Sequence, residues 1–141
     1  MITIYTDGSF SSSKVRGGIG IVFVKDGNKI GSFSKSFENI TNNKAELAAV
    51  IIAMKTTLKN NWEEVTICTD SQYVIGCATK GWQRKKNVKL WKRFDLVKEE
   101  LDKQNITINF RWVRGHDGDK FNELADRLAV NASHETALNV L

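Results

Sequence analysis

Residues 64–79 read EVTICTDSQYVIGCAT, and the change of rhythm inside them decides the fold. The β-branched and hydroxylated run up to Thr69 predicts a strand over 64–69. It ends at Asp70, and Ser71 to about Thr79 predicts a helix that breaks at Gly81. Upstream, Leu47, Val50, Ile51, Met54 and Leu58 recur at helical spacing and predict a helix from Asn43 to Lys59. Before it, ITIYT (2–6) predicts a strand stopping at a turn-like Asp7-Gly8, and residues 17–25 predict a second strand. Asp26-Gly27-Asn28 reads as a hairpin turn into a third strand near 29–36. Downstream, Leu90, Phe94, Val97 and Leu101 mark another amphipathic helix, residues 106–113 a strand, and Phe121 to Ala132 a final helix.

The order β-β-β-α-β-α-α-β-α implies an α/β fold with a five-stranded mixed sheet flanked by helices. Helices separate the fourth and fifth strands, so the first, fourth and fifth should be parallel, with the hairpin extending one side antiparallel. At 141 residues with 41% hydrophobic content, residues 1–141 fit a single domain. Residues 133–141 are expected to form a flexible or docking tail, with His134 exposed in it.

No stretch has the uninterrupted apolar length of a membrane span. The N-terminus lacks the basic and apolar regions of a secretory signal. Cys68 and Cys77 lack metal-ligand spacing and read as reduced core thiols, in keeping with a cytoplasmic protein. The net charge is +5, yet residues 80–93 (KGWQRKKNVKLWKR) hold seven Lys or Arg and no acid. Five less seven leaves −2 for all the rest. The basicity is one patch, which points to a polyanionic partner. Within it, Trp82 beside Gly81 reads as an aromatic contact for a sugar or base, and Trp91, beside Leu90 and Phe94, as core.

Four acids stand out: Asp7 in TDGS, Glu46 in TNNKAE, Asp70 in TDSQ and Asp126 in NELAD. In open α/β sheets ligands gather beyond the carboxyl ends of parallel strands, which would place Asp7 and Asp70 together. Glu46 is expected in the first turn of its helix, and Asp126 shares a helix face with Asn122. Four converging carboxylates match two divalent cations, the arrangement of phosphodiester-cleaving nucleases. Each acid also has a plain local reading. Asp7-Gly8 can be a turn, Asn43-x-x-Glu46 a capping box, Asp70 or Ser71 a helix cap, and Asp126 a solvated helix acid beside Arg127.

Taken in order, YTDGS (5–9), TNNxxEL (41–47), TDSQYV (69–74), GHxG (115–118), Asn122 and Asp126 resemble the type 1 ribonuclease H family. The resemblance runs from about residue 2 to residue 130 and implies the ribonuclease H-like fold. It implies hydrolysis of the RNA strand of an RNA–DNA hybrid at internal sites, leaving 5′-phosphate and 3′-hydroxyl ends. It assigns two Mg²⁺ ions to Asp7, Glu46, Asp70 and Asp126, with Mn²⁺ as a substitute. His116 would shuttle a proton or help release product. The 2′-hydroxyls of the RNA would be met by Gly8, Ser9, Glu46, Gln72 and Asn122. Asn42 and Asn43 would lie along the groove with Gln72, and Thr41 at a DNA phosphate.

The sequence departs from the family pattern in two places. Ser13 stands where an Asn helps hold a DNA phosphate. The basic protrusion is shortened, leaving Trp82, Lys85 and Lys86 as its substrate contacts. The resemblance implies hybrid nucleic acid as the partner; a monomer acting without a membrane is expected. Other readings are another nuclease of the same fold, a catalytically silent hybrid-binding module, and a domain cut from a reverse transcriptase. TNNKAE with RGHDGD favours the ribonuclease, the presence of all four acids disfavours the silent module, and Met1 with the basic patch favours a free-standing enzyme.

Overall fold

Asp26 and Gly27 both adopt left-handed backbone, φ 50° and 83°, and fold the chain into the expected hairpin. The computed structural model describes residues 1–13, 16–114 and 119–134. Among them, the strands are β1 (Ile2–Ser11), β2 (Arg16–Lys25), β3 (Asn28–Glu38), β4 (Glu64–Thr69) and β5 (Thr107–Trp112). The helices are α1 (Asn42–Asn60), α2 (Gln72–Thr79), α3 (Val88–Lys103) and α4 (Lys120–Ser133). The sheet order is β3-β2-β1-β4-β5. β1, β4 and β5 run parallel, and the β2–β3 hairpin is antiparallel beside β1.

The pleat divides the core between the two faces of the sheet. Ile4, Ile21 and Ile67 join Leu47, Val50 and Met54 of α1 and Trp91, Phe94 and Leu101 of α3. Their neighbours Tyr5, Val22 and Cys68 turn to the other face, where Ala125, Phe121, Leu124 and Leu128 of α4 cover them. Both Cys68 and Cys77 are free and buried, as read from the sequence. Trp91 is core, and its indole N–H donates to the Tyr73 hydroxyl at 2.9 Å.

One expectation needs correction. The first strand does not stop at Asp7-Gly8. It continues to Ser11, because β2 pairs with β1 along its whole length, from Ile2↔Lys25 to Ser11↔Arg16. Only the parallel partner ends early, with Tyr5↔Cys68 the last β1–β4 pair. Asp7 therefore sits in extended strand, just beyond the end of the parallel ladder. Gly8 serves close approach rather than a turn: a Cβ there would lie 2.5 Å from the backbone nitrogen of Glu46. Of the tail expected from residue 133, Ser133 completes α4 and is buried, His134 is exposed, and 135–141 lie outside the described residues.

Gly20 pairs with Asp7, and a Cβ on it would meet the Ala125 carbonyl oxygen at 2.2 Å. Its bare backbone lets α4 lie close enough to bring Asp126 towards Asp7. Gly20→Ala should therefore destabilise by about 1–3 kcal/mol through overpacking. The check is a urea titration, in which the midpoint falls while the slope stays unchanged.

Candidate active site

Beyond the end of the β1–β4 ladder, β1 supplies Asp7, β4 leads into Asp70, and α1 delivers Glu46. One backbone amide ties two of these acids together. The Gly8 N–H donates to Asp7 Oδ1 at 2.9 Å and to Glu46 Oε1 at 2.7 Å. Glu46 Oε2 accepts from the Thr69 hydroxyl at 3.3 Å, and Thr69 Oγ1 accepts from the Ser71 N–H at 3.1 Å. Carboxylate oxygens of Asp7, Glu46 and Asp70 all come within 4.8 Å of one another. Asp126 lines the same cavity, of about 330 Å³, with Asn42, Asn43 and Gln72.

The local readings of these acids resolve against capping. Thr41 is the N-cap of α1 and accepts from the Lys44 N–H at 3.2 Å. Glu46 thus lies beyond the first turn, which holds no acid, and its carboxylate is spent on Gly8 and Thr69 rather than on a capping box. Ser71 caps α2 by accepting from the Val74 N–H at 3.1 Å, which leaves the Asp70 carboxylate for the cavity. Asp119, which the sequence reading passed over, caps α4 and orients its first turn.

Electrostatically the site is strained towards protonation. Burial drives the Asp7 carboxyl far above its ordinary range, and Glu46, Asp70 and Asp126 push it further the same way. Glu46 is raised chiefly by burial, with the Asp70 charge adding to it and the Gly8 and Thr69 donors opposing it. Asp70 is raised by burial and by Asp126. A set of crowded oxygen donors whose charges burial disfavours suits a hard divalent cation, which relieves both the desolvation and the repulsion.

Comparison with known proteins agrees with this geometry. The family model described as RNase H matches residues 1–134. A ribonuclease H of Rippkaea orientalis is 38% identical over 147 residues, covering 97% of this chain and 88% of that protein. The N-terminal RNase H domain of a Mycobacterium tuberculosis protein superposes with a TM-score of 0.82 at 24% identity, covering 99% of this chain and 98% of that one. LC11-RNase H1, solved in complex with an RNA/DNA hybrid, superposes with a TM-score of 0.72 at 24% identity, covering 94% and 99% of the two chains. The chain belongs to the ribonuclease H family. Its acidic cluster is of the kind typical of metal-dependent ribonucleases H.

The other residues singled out in this ribonuclease H sequence fall into separate places. Thr41, Asn42 and Asn43 line a second cavity of about 350 Å³ with Tyr73, Lys86 and Asn87. The sequence reading gave no role to Tyr73 or Asn87. Here the Tyr73 hydroxyl accepts from Asn87 Nδ2 at 3.0 Å and from Trp91. The only signal for Asn87 was a polar residue interrupting a run of cations. Ser9 is half-buried in β1, and the exposed Ser13 shares a hydrogen bond with Ser11 at 3.2 Å. Asn122 is buried at the start of α4 and is not among the residues lining the acidic cavity. Lys85 is exposed, and His116 lies outside the described residues.

Of the seven cations of 80–93, six are exposed and one is withdrawn from the patch. Arg84 turns inward: its guanidinium lies 4.4 Å from the Trp91 ring. It makes two hydrogen bonds to the Asp95 carboxylate at 2.8 and 2.7 Å and donates to the Cys77 carbonyl at 3.2 Å. Its charge is consumed in pinning the segment between α2 and α3.

A carboxyl raised in the folded protein costs stability as pH climbs. The unfolded Asp7 releases its proton near pH 4, whereas the folded site still resists ionisation. Stability from this group is thus intact below about pH 4 and declines above it. Without divalent cations, Asp7→Asn should leave the melting temperature nearly unchanged at pH 3. At pH 7 it should raise it by about 3 °C or more, equivalent to at least about 1 kcal/mol, as followed by circular dichroism in EDTA.

Proposed function

We propose that this chain hydrolyses the RNA strand of RNA–DNA hybrids at internal positions, using two Mg²⁺ ions held by Asp7, Glu46, Asp70 and Asp126. The observation that carries the reading is the convergence of three acids from β1, α1 and the end of β4 to within 4.8 Å, in a member of the ribonuclease H family. When bound, such ions activate a water nucleophile and stabilise the charge on the leaving 3′-oxygen, giving 5′-phosphate and 3′-hydroxyl ends. Oxygen-only donors favour Mg²⁺, with Mn²⁺ as a substitute.

The chain's own residues supply position and selectivity. Gly8 and Thr69 hold Glu46 in the orientation the site needs, and Ser71 keeps Asp70 free of the α2 terminus. Gly8, Ser9, Glu46, Gln72 and Asn122 are assigned to the 2′-hydroxyls that distinguish an RNA strand from DNA. Thr41, Asn42 and Asn43 border the cavity assigned to the DNA strand, where the Lys86 ammonium complements a phosphate. Ser13 and Lys85 are assigned to outlying contacts with the hybrid. His116 is assigned to proton transfer or product release.

We read residues 1–141 as one catalytic domain working as a monomer in the cytoplasm. Among the described residues no helix is long and apolar enough to cross a membrane.

A 5′-labelled RNA presented single-stranded, in duplex RNA and in a DNA hybrid tests the assignment. Internal cuts should appear in the hybrid alone, with Mg²⁺ and not with EDTA. Asp7→Asn should lower the rate by roughly 1,000-fold or more, about 4 kcal/mol of barrier, and His116→Ala by about 100-fold. Binding without cleavage, or cleavage of the DNA strand, would refute the assigned activity. Replacing Lys85 and Lys86 with Gln should weaken hybrid binding at low salt. The same change should flatten the dependence of log affinity on log salt by about 1–2.

A further inference from the structure

Trp82 and Trp112 remain open to solvent, at 48% and 41% exposure, and they border one cleft. Its volume is about 230 Å³, and Gln72, Ile75 and Lys80 complete its lining. Gln72 also lines the acidic cavity, so the two spaces meet at the first residue of α2.

Both indoles are fixed from below. The Trp112 N–H donates to the backbone carbonyl of Asp70 at 3.1 Å. The Trp82 ring occupies the space that a side chain on Gly76 would need, with its Cε3 2.0 Å from where a Cβ would stand. The backbone N–H of Trp82 donates to the Gly76 carbonyl at 3.2 Å and anchors the chain beneath the ring. Lys80 is exposed on the rim and takes part in no salt bridge among the described residues.

Fixed aromatic surfaces beside a free ammonium group form a stacking platform for single-stranded nucleic acid. Inside a duplex every base is already stacked and paired, so only an unpaired nucleotide can offer its base. The volume fits one base better than a larger ligand, being below the roughly 300–1,000 Å³ of pockets for drug-sized molecules.

We propose that this cleft is a subsite for one unpaired nucleotide continuing a strand of the bound hybrid, with its base against Trp82 and Trp112 and its phosphate at Lys80. The proposal rests on the reading of the acidic cavity as the hybrid site and gives that site a preference. Hybrids that abut single-stranded nucleic acid bind better than blunt ones.

The test compares kcat and KM of the full chain with Mg²⁺ on a blunt hybrid and on four versions, each carrying a short overhang at one of the four strand ends. One overhang should lower KM about tenfold, equivalent to about 1.4 kcal/mol, and should quench tryptophan fluorescence on binding. Trp82→Ala should bring the ratio of blunt to overhung KM close to 1. Trp82→Phe should keep most of it, and Lys80→Gln, which leaves both rings in place, should reduce it. If no overhang alters KM, the subsite does not exist. If Trp82→Ala weakens blunt and overhung hybrids equally, the indole acts on the duplex and the proposal fails. The blunt hybrid reports on the acidic cavity by itself. Loss of its cleavage counts against the assigned activity, whereas unchanged ratios with the blunt hybrid still cleaved count against the subsite alone.

Discussion

Repulsion among carboxylates is the constraint around which this end of the sheet is organised. Like charges within 4.8 Å interact strongly where burial has removed the water that would screen them. The fold holds them there by geometry. β4 stops at Thr69 while β1 runs on to Ser11, and the step between their ends makes the room the acids occupy. Neutral donors, the Gly8 amide and the Thr69 hydroxyl, hold Glu46 without cancelling its charge. A lysine or arginine in their place would have quenched the site and removed its reason to take up a cation.

The periodic parts of this architecture are visible in the sequence because each reflects a local rule. The 64–69 strand coincides with β4, and the spacing of Leu47, Val50, Ile51 and Met54 marks the buried face of α1. What escapes the sequence depends on partners distant along the chain. TDGS has the composition of a turn, and only its pairing with β2 keeps it extended. Gly8 and Gly20 look like breakers, yet both make room for helices crossing the sheet. Thr41 rather than Asn43 caps α1, a shift that moves Glu46 from capping to the cavity. Strand order placed Asp7 and Asp70 at one edge, but the convergence of Glu46 and Asp126 on them lay in no spacing, and the ordered family motifs carried that part. Tyr73, Asn87 and Trp112 enter the picture only through contacts made after folding.

Charge counting misleads in a related way. The basic run looks uniform, but its members have different surroundings. Arg84 is held by Asp95 and Trp91, and Lys86 reaches the cavity beside Thr41. Arg93 faces a groove of mixed apolar and cationic lining with Lys44 and Lys55. Position in the fold, rather than membership of the run, decides which cations face the cavities by the acids.

Residues 80–87 contain neither helix nor strand, but Arg84, Trp82 and the Tyr73 hydroxyl fix them to α2 and α3. The loss of chain entropy needed to order this segment is therefore met when the protein folds, not when nucleic acid arrives. A ligand meets a surface already in shape, and its affinity is not reduced by the work of arranging that surface. Association then needs no separate step in which residues 80–87 are ordered.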